Sequence, residues 1–417
     1  MTLDTSRLFS VVAQGLRASE IRELLKLLDR PQMISFAGGL PNPAAFPVDE
    51  LREVVVHVMT DHASNALQYG PTEGHYRLRN AIAQGMGEHY GAPQQVDNIL
   101  ITAGSQEALH ILVTILIDPG DTVITSNPTY LGALLAFRAA LARVEGVASD
   151  SEGMLVDGLE DTLRDLDRQG RCPKLIYLVP TFQNPTGATL SQERRQRIYE
   201  IACRRGMLIV EDDPYGLLRY EGDGIPPMKS LDQEQRVAYL GTFSKILAPG
   251  FRLGWLAADS NLIRKAVVAK QAYDICANTF GQYCVFEILR KNALFPHIEV
   301  IKNLYRHKRD VMLAALEKHF PKQARFNRPE GGLFLWVELP PEVDSLQLLS
   351  KAIEHDVAYV TGKPFYTDGS GHNTLRLNFS YADDDQIVEG IARLARVIDM
   401  ELAALKSGDR VDHVGIF

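Results

Sequence analysis

The feature that most constrains this chain is a rhythm. From about residue 99, short runs of nearly continuous apolar residues alternate with longer amphipathic stretches. Ile99–Thr102, Thr122–Ser126, Leu175–Val179, Leu208–Glu211 and Val237–Gly241 have strand length and are rich in Ile, Val and Leu. Between them, Gln106–Ile117, Tyr130–Ala142 and Gln192–Arg205 carry helical spacing. A strand that is apolar at successive positions, rather than at every second one, is buried on both faces. Such strands separated by helices predict a mostly parallel sheet covered by helices on both sides. After about residue 292 the pattern changes. A helix at Pro296–His319, a strand at Phe334–Leu339, a helix at Ser345–His355, strands at Val357–Thr361 and Thr374–Phe379, and a helix after Asp383 predict a smaller α+β domain. A chain of 417 residues exceeds one ordinary core. The expected division is an N-terminal segment at 1–45, a large domain at 46–292 and a small domain at 293–417.

Charge and cysteine usage narrow the class. A net charge of −8 argues against a mainly electrostatic grip on nucleic acid or an anionic membrane. The longest apolar run, Ala108–Ile117, is too short to span a bilayer, and the first thirty residues lack the apolar block of a signal peptide. Cys172, Cys203, Cys276 and Cys284 have neither zinc-knuckle nor redox spacing, which predicts reduced thiols in a cytoplasmic protein and no metal centre. Asn378-Phe379-Ser380 has the form of a glycosylation sequon, without meaning in a protein that is not secreted.

Polar clusters stand where the strands end. Gly104-Ser105-Gln106 follows Ile99–Thr102 and opens a helix; Gln183-Asn184-Pro185-Thr186-Gly187 lies beyond Leu175–Val179. Asp212-Asp213-Pro214-Tyr215 closes Leu208–Glu211, and Thr242-Phe243-Ser244-Lys245 closes Val237–Gly241. Ligands of doubly wound sheets sit beyond the carboxyl ends of the strands. Singly, each cluster has a bland reading. Gly-Ser-Gln is a helix cap, Asn-Pro-Thr-Gly a turn, Asp-Asp-Pro-Tyr a helix start, and a lone Lys a solvated charge.

As an ordered set they resemble the fold-type I, pyridoxal-phosphate (PLP) dependent aminotransferases. The set is Asn184-Pro185-Thr186-Gly187, Asp212-x-x-Tyr215, Ser244-Lys245 and Pro249-Gly250-Phe251-Arg252-Leu253-Gly254, and the resemblance runs from about residue 30 to 400. Ser35-Phe36-Ala37-Gly38-Gly39-Leu40-Pro41, Leu67-Gln68-Tyr69-Gly70-Pro71-Thr72-Glu73-Gly74 and Thr374-Leu375-Arg376-Leu377 are similar to the 2-aminoadipate aminotransferase branch. The resemblance implies a mostly parallel, seven-stranded sheet flanked by helices, with the 1–45 segment covering the substrate. It also implies a homodimer with shared active sites, acting on an amino acid and a 2-oxo acid.

The resemblance assigns roles as well. Lys245 carries the cofactor and moves the Cα proton, while Asp212 pairs with the ring nitrogen and raises its pKa. Tyr215 and Asn184 bond the phenolic oxygen, and Tyr130 stacks on the ring. Ser105, Gln106, Ser244 and Arg252 hold the phosphate at a helix start, with Tyr69 reaching across the dimer. Arg376 clamps the α-carboxylate with its planar fork, beside Asn184 and the backbone of Gly39. Arg22 greets a distal carboxylate, pointing to 2-aminoadipate or glutamate as substrates alongside leucine or aromatic amino acids. An exposed helix arginine paired with nearby glutamates is the other reading of Arg22. Lys363 stands where a small residue is expected. Decarboxylation, racemisation, acyl-transfer condensation and oxidation share Lys245 and Asp212. A non-catalytic effector-sensing domain is a further alternative, though no basic helix-turn-helix segment fits before Ser35.

Overall fold

The computed structural model describes residues 5–15 and 32–407. Arg22 and the tail beyond residue 407 lie outside the described residues. The helices used below are α1 (Val11–Gly15), α2 (Val48–Asp61), α3 (Ala63–Ala66), α4 (Tyr76–Tyr90), α5 (Ser105–Leu116), α6 (Leu131–Ala139) and α7 (Val156–Arg168). They continue with α8 (Gln192–Arg205), α9 (Ser260–Gln271), α10 (Thr279–Arg290), α11 (Leu294–His319), α12 (Ser345–Glu354) and α13 (Asp384–Ser407).

The large sheet is built from β2 (Ile99–Thr102), β3 (Thr122–Asn127), β4 (Arg143–Asp150), β5 (Gly153–Met154), β6 (Pro173–Leu178), β7 (Leu208–Asp212), β8 (Val237–Thr242) and β9 (Gly254–Ala257). Their order is β2-β9-β8-β7-β6-β3-β4-β5. β4, β3, β6, β7 and β8 run parallel, whereas β9 is antiparallel to both β8 and β2. The sheet has eight strands rather than seven, because the chain turns at Ser151-Glu152 and returns for two residues along β4.

The strands read as continuously apolar because they feed two cores. Val123, Leu175, Tyr177, Val210, Ala238 and Leu240 pack on one face with Leu109 and Leu112 of α5 and Phe137 of α6. Their neighbours Ile124, Ile176, Leu178, Ile209 and Val237 pack on the other with Leu159 and Leu163 of α7 and Ile198 and Ile201 of α8. Alternation of side chains along a strand makes this division unavoidable.

The second sheet, β10 (Arg325–Phe326), β11 (Phe334–Glu338), β14 (Thr374–Asn378) and β13 (Val360–Thr361), is antiparallel, and its β13 packs against α12. Val357–Thr361 is not one strand. Val357-Ala358 (β12) pairs in parallel with Ile34-Ser35 (β1), and Val360-Thr361 pairs with β14. Tyr359 lies between the two, its hydroxyl donating to the Ser345 carbonyl at 2.7 Å. The β1–β12 pairing carries Phe36 to Gly39 from the small sheet toward the carboxyl edge of the large one, where Lys245 meets Gly39.

Candidate active site

At that edge three consecutive acids meet three different fates. Glu211 is fully buried, and its oxygens accept the Met228 and Lys229 amides at 2.7 and 2.8 Å, so it pins a neighbouring turn. Asp213 accepts the Tyr239 hydroxyl at 3.0 Å and the Gly216 amide at 2.9 Å. Asp212, between them, points to the other side of the chain. Its Oδ2 accepts the Tyr177 hydroxyl at 2.7 Å, while its buried Oδ1 has no hydrogen-bond partner among the described residues. Burial pushes the Asp212 carboxyl up to about 7, the Tyr177 bond and the nearby Ser105 hydroxyl opposing and Asp213 adding. A buried acceptor without a partner is rare, and it marks where a donor belongs.

Lys245 follows β8. Its Nζ donates to the Gly39 carbonyl at 2.8 Å. Burial first, then the Arg376 and Arg252 guanidiniums, bring its pKa down to about 8. An amine so placed is far more often neutral near pH 8 than an exposed lysine, which suits it to act as nucleophile and proton carrier.

Arg376 sits at the middle of β14, paired across to Trp336 and Val360. It is buried, with Nη1 on Asn184 Oδ1 and Nη2 on the Ala37 carbonyl, both at 2.7 Å. Its guanidinium lies 4.2 Å from the Phe334 ring centre and 5.4 Å from that of Phe365. The Nε has no partner among the described residues. Burial lowers its pKa to about 10, which leaves it charged at neutral pH. The remaining N–H groups can take a carboxylate.

Around these groups stand Tyr130, Asn184 and Tyr215. Burial is the main reason that both phenols are raised, Tyr130 to about 12. Tyr130 and Gln106 flank Gly132: a Cβ there would come within 2.6 Å of both side chains, and Gln106 Nε2 donates to the Gly132 carbonyl at 3.0 Å.

The Gly104-Ser105 turn opens α5. Gly104 has φ +83° and a Cβ on it would lie 2.8 Å from Arg252 Nη2, so only glycine lets that guanidinium approach the turn. Arg252 Nη2 donates to the Ala103 carbonyl at 3.1 Å, and its side chain otherwise faces solvent. Ser244 closes the group, its Oγ accepting from Thr242 at 3.0 Å. Backbone amides at the start of a helix, two hydroxyls and an arginine together form an anion seat.

The site residues expected from sequence are therefore not all in one place. Lys245, Asp212, Tyr215, Tyr130, Asn184, Arg376, Gly39, Ser105, Gln106, Ser244 and Arg252 surround the carboxyl edge. Tyr69 does not join them within one chain: it is 79% exposed and lines a surface cavity with Leu67, Asn278 and Phe280. Lys363 is exposed on a 3-10 turn. Tyr177, Phe334 and Phe365 were missed. A tyrosine inside the apolar run Leu175–Val179 was the signal for the first; the two phenylalanines read as ordinary core.

The layered sheet with its carboxyl-edge crevice defines a fold-type I PLP-dependent transferase. The sequence matches the family described as Aminotransferase class I and II over residues 38–394. It is 46% identical to Aromatic-amino-acid aminotransferase 1 of Thermococcus litoralis over 401 residues, 96% of each chain. The structure superposes with a TM-score of 0.93 on Pyrococcus horikoshii kynurenine aminotransferase in complex with PMP, at 47% identity over 96% of this chain and 98% of that one. It superposes with a TM-score of 0.89 on LysN, an alpha-aminoadipate aminotransferase of Thermus thermophilus complexed with N-(5'-phosphopyridoxyl)-L-leucine, at 37% identity over 96% and 100% of the two chains. The chain belongs to the class I and II aminotransferases. It is a PLP-dependent enzyme of amino-group transfer.

Proposed function

We propose that this aminotransferase accepts both acidic substrates, such as 2-aminoadipate or glutamate, and bulky apolar or aromatic ones, passing the amino group to a 2-oxo acid. The observation that carries the reading is that Lys245 and Arg376 are tied to the same short stretch of backbone, at Gly39 and Ala37. A carboxylate held by Arg376 therefore brings the Cα of an α-amino acid next to the Lys245 amine.

The residues fit the cofactor. Bound PLP supplies an electron sink for the charge left when Cα loses its proton. Asp212 Oδ1, which has no partner among the described residues, would accept the ring N–H, and Lys245 would anchor the aldehyde carbon. Tyr215 and Asn184 would bond the phenolic oxygen and Tyr130 would cover the ring face. The amides of Ser105 and Gln106, the Ser105 and Ser244 hydroxyls and Arg252 would hold the phosphate. Freed from the cofactor, the Lys245 Nζ would take the proton from the substrate Cα and hold it for return to the cofactor's aldehyde carbon. Arg376 fixes which bond stands next to that amine, favouring proton removal over loss of the carboxylate it holds.

The exposed Leu67 and Tyr69 support a homodimer in which Tyr69 of the partner subunit completes the phosphate seat. Four free cysteines suit a cytoplasmic setting. Substrate range is supported by the aromatic walls of Phe334, Phe365 and Trp336 on one side and by similar proteins, which are named as aromatic-amino-acid and alpha-aminoadipate aminotransferases. Arg22 would supply the second charge for acidic side chains. Turning inward desolvates it, so it pairs only when a distal carboxylate is present. Steady-state kinetics of Arg22→Ala test this: KM should rise for 2-aminoadipate and stay unchanged for leucine or an aromatic amino acid. Equal weakening of both classes would make Arg22 a structural residue and remove the acidic assignment.

A further inference from the structure

We infer that Lys270, on α9 and outside the crevice, is a positioning residue that sets the shape and charge of the cofactor-phosphate seat by acting through Glu107. The inference rests on the phosphate seat proposed above, at Ala103–Gln106 with Arg252.

Lys270 is fully buried, with no exposed side-chain surface. Its Nζ donates to both oxygens of Glu107, at 3.1 and 2.9 Å, and to both oxygens of Asp274, at 2.7 and 2.8 Å. Glu107 lies in the first turn of α5, and its Oε2 also accepts the Ala103 amide at 2.5 Å. The Ala103 carbonyl in turn accepts Arg252 Nη2 at 3.1 Å. One residue thus joins the two halves of the anion seat, and Lys270 holds the carboxylate that pins that residue.

The arrangement answers an electrostatic problem. A carboxylate is a good partner for the backbone at a helix start, but it brings negative charge to the end that must receive a phosphate dianion. Lys270, Glu107 and Asp274 sum to −1, from one positive and two negative groups. Without Lys270 the same spot carries −2, the two carboxylates repel, and the Ala103–Ser105 turn loses its anchor. Lys270 therefore lets Glu107 shape the turn without repelling the ligand.

The test uses apoenzyme titrated with PLP and, separately, with pyridoxal, which lacks the phosphate. Lys270→Met should weaken PLP binding on the order of tenfold or more, the size of a charge interaction at a partly buried helix terminus, while leaving pyridoxal unchanged. Glu107→Gln keeps an acceptor for the Ala103 amide and removes the charge, so it should bind PLP at least as tightly as the wild type. The double variant should recover most of the Lys270→Met loss. Equal weakening of PLP and pyridoxal by Lys270→Met, or no weakening of either, overturns the inference and leaves Lys270 an ordinary buried ion pair. If Lys270→Met does not fold, Glu107→Gln decides alone: a selective loss of PLP over pyridoxal contradicts the charge argument. Arg252→Leu separates the two levels. If it too fails to distinguish PLP from pyridoxal, the phosphate seat itself is misplaced.

Discussion

Replacing Asp212 with asparagine should cripple catalysis while sparing the fold, and replacing Asp213 should not. Asparagine at 212 keeps an oxygen for the Tyr177 hydroxyl, now 2.7 Å from Oδ2, so the local structure has little reason to change. What disappears is the charge at Oδ1, which is buried and has no partner among the described residues. Losing one preorganised charge partner from a water-excluded site typically costs about 3–4 kcal/mol, or roughly two to three powers of ten in rate. Asparagine at 213 loses one of two bonds, to Tyr239 or to Gly216, and should cost about 1 kcal/mol of stability with kcat within a few fold. Single-turnover rates with a good amino-acid substrate are the assay. A pH series on the apoproteins is an independent check. The Asp212 carboxyl stands near 7 rather than 3.8, so between those values the folded apoprotein binds more protons than the unfolded chain and its stability falls as pH rises. Asp212→Asn removes that dependence, so its melting temperature should gain on the wild type across this window and run level below it. If Asp213→Asn proves the crippling change, the pairing of the acid with the cofactor ring has been read one residue out of register.

Two further outcomes follow from burial at the same crevice. The rate at which apoenzyme recaptures PLP should climb with pH as the Lys245 amine loses its proton, and level off above about 8; a rise continuing into the ordinary lysine range would place the amine in water, away from Arg376 and Arg252. Phe334→Leu removes the ring 4.2 Å from the Arg376 guanidinium, a contact of about 1–2 kcal/mol when desolvated, and should raise KM for every amino acid while changing kcat little. A fall in kcat with KM intact would mean that Phe334 guards the reacting atoms and not the clamp.

The large sheet was legible because burial on both faces writes itself into a strand as an unbroken apolar run, as in Leu175–Val179. β4 left no such mark: it lies toward the sheet's edge with only Val147 buried, Arg143 exposed and Glu145 half-buried. β9 opens on Gly254 straight after a glycine-proline loop, and its Gly-Trp-Leu-Ala lacks the Ile-Leu-Ile run that marked the equally short β2. At the site, the residues read from ordered motifs came together because a motif is a stretch of backbone, and the strand ends bring those stretches to one edge. The supporting shell was not legible, because its members meet only in three dimensions. Phe334 and Arg376 face each other from different strands, and Lys270 reaches Glu107 from 163 residues away in sequence. Tyr69 shows the converse: its surroundings in sequence mark it as functional, while one chain alone leaves it on the surface.

The central claim, that this crevice exchanges amino groups, is tested most directly by a half-reaction. The PLP form of the enzyme, mixed with 2-aminoadipate or an aromatic amino acid and no added oxo acid, should convert to the pyridoxamine form and release one equivalent of the matching 2-oxo acid per site. Lys245→Ala should do neither at a comparable rate. Release of carbon dioxide, consumption of oxygen, or racemised amino acid with the cofactor left in its PLP form would contradict the account.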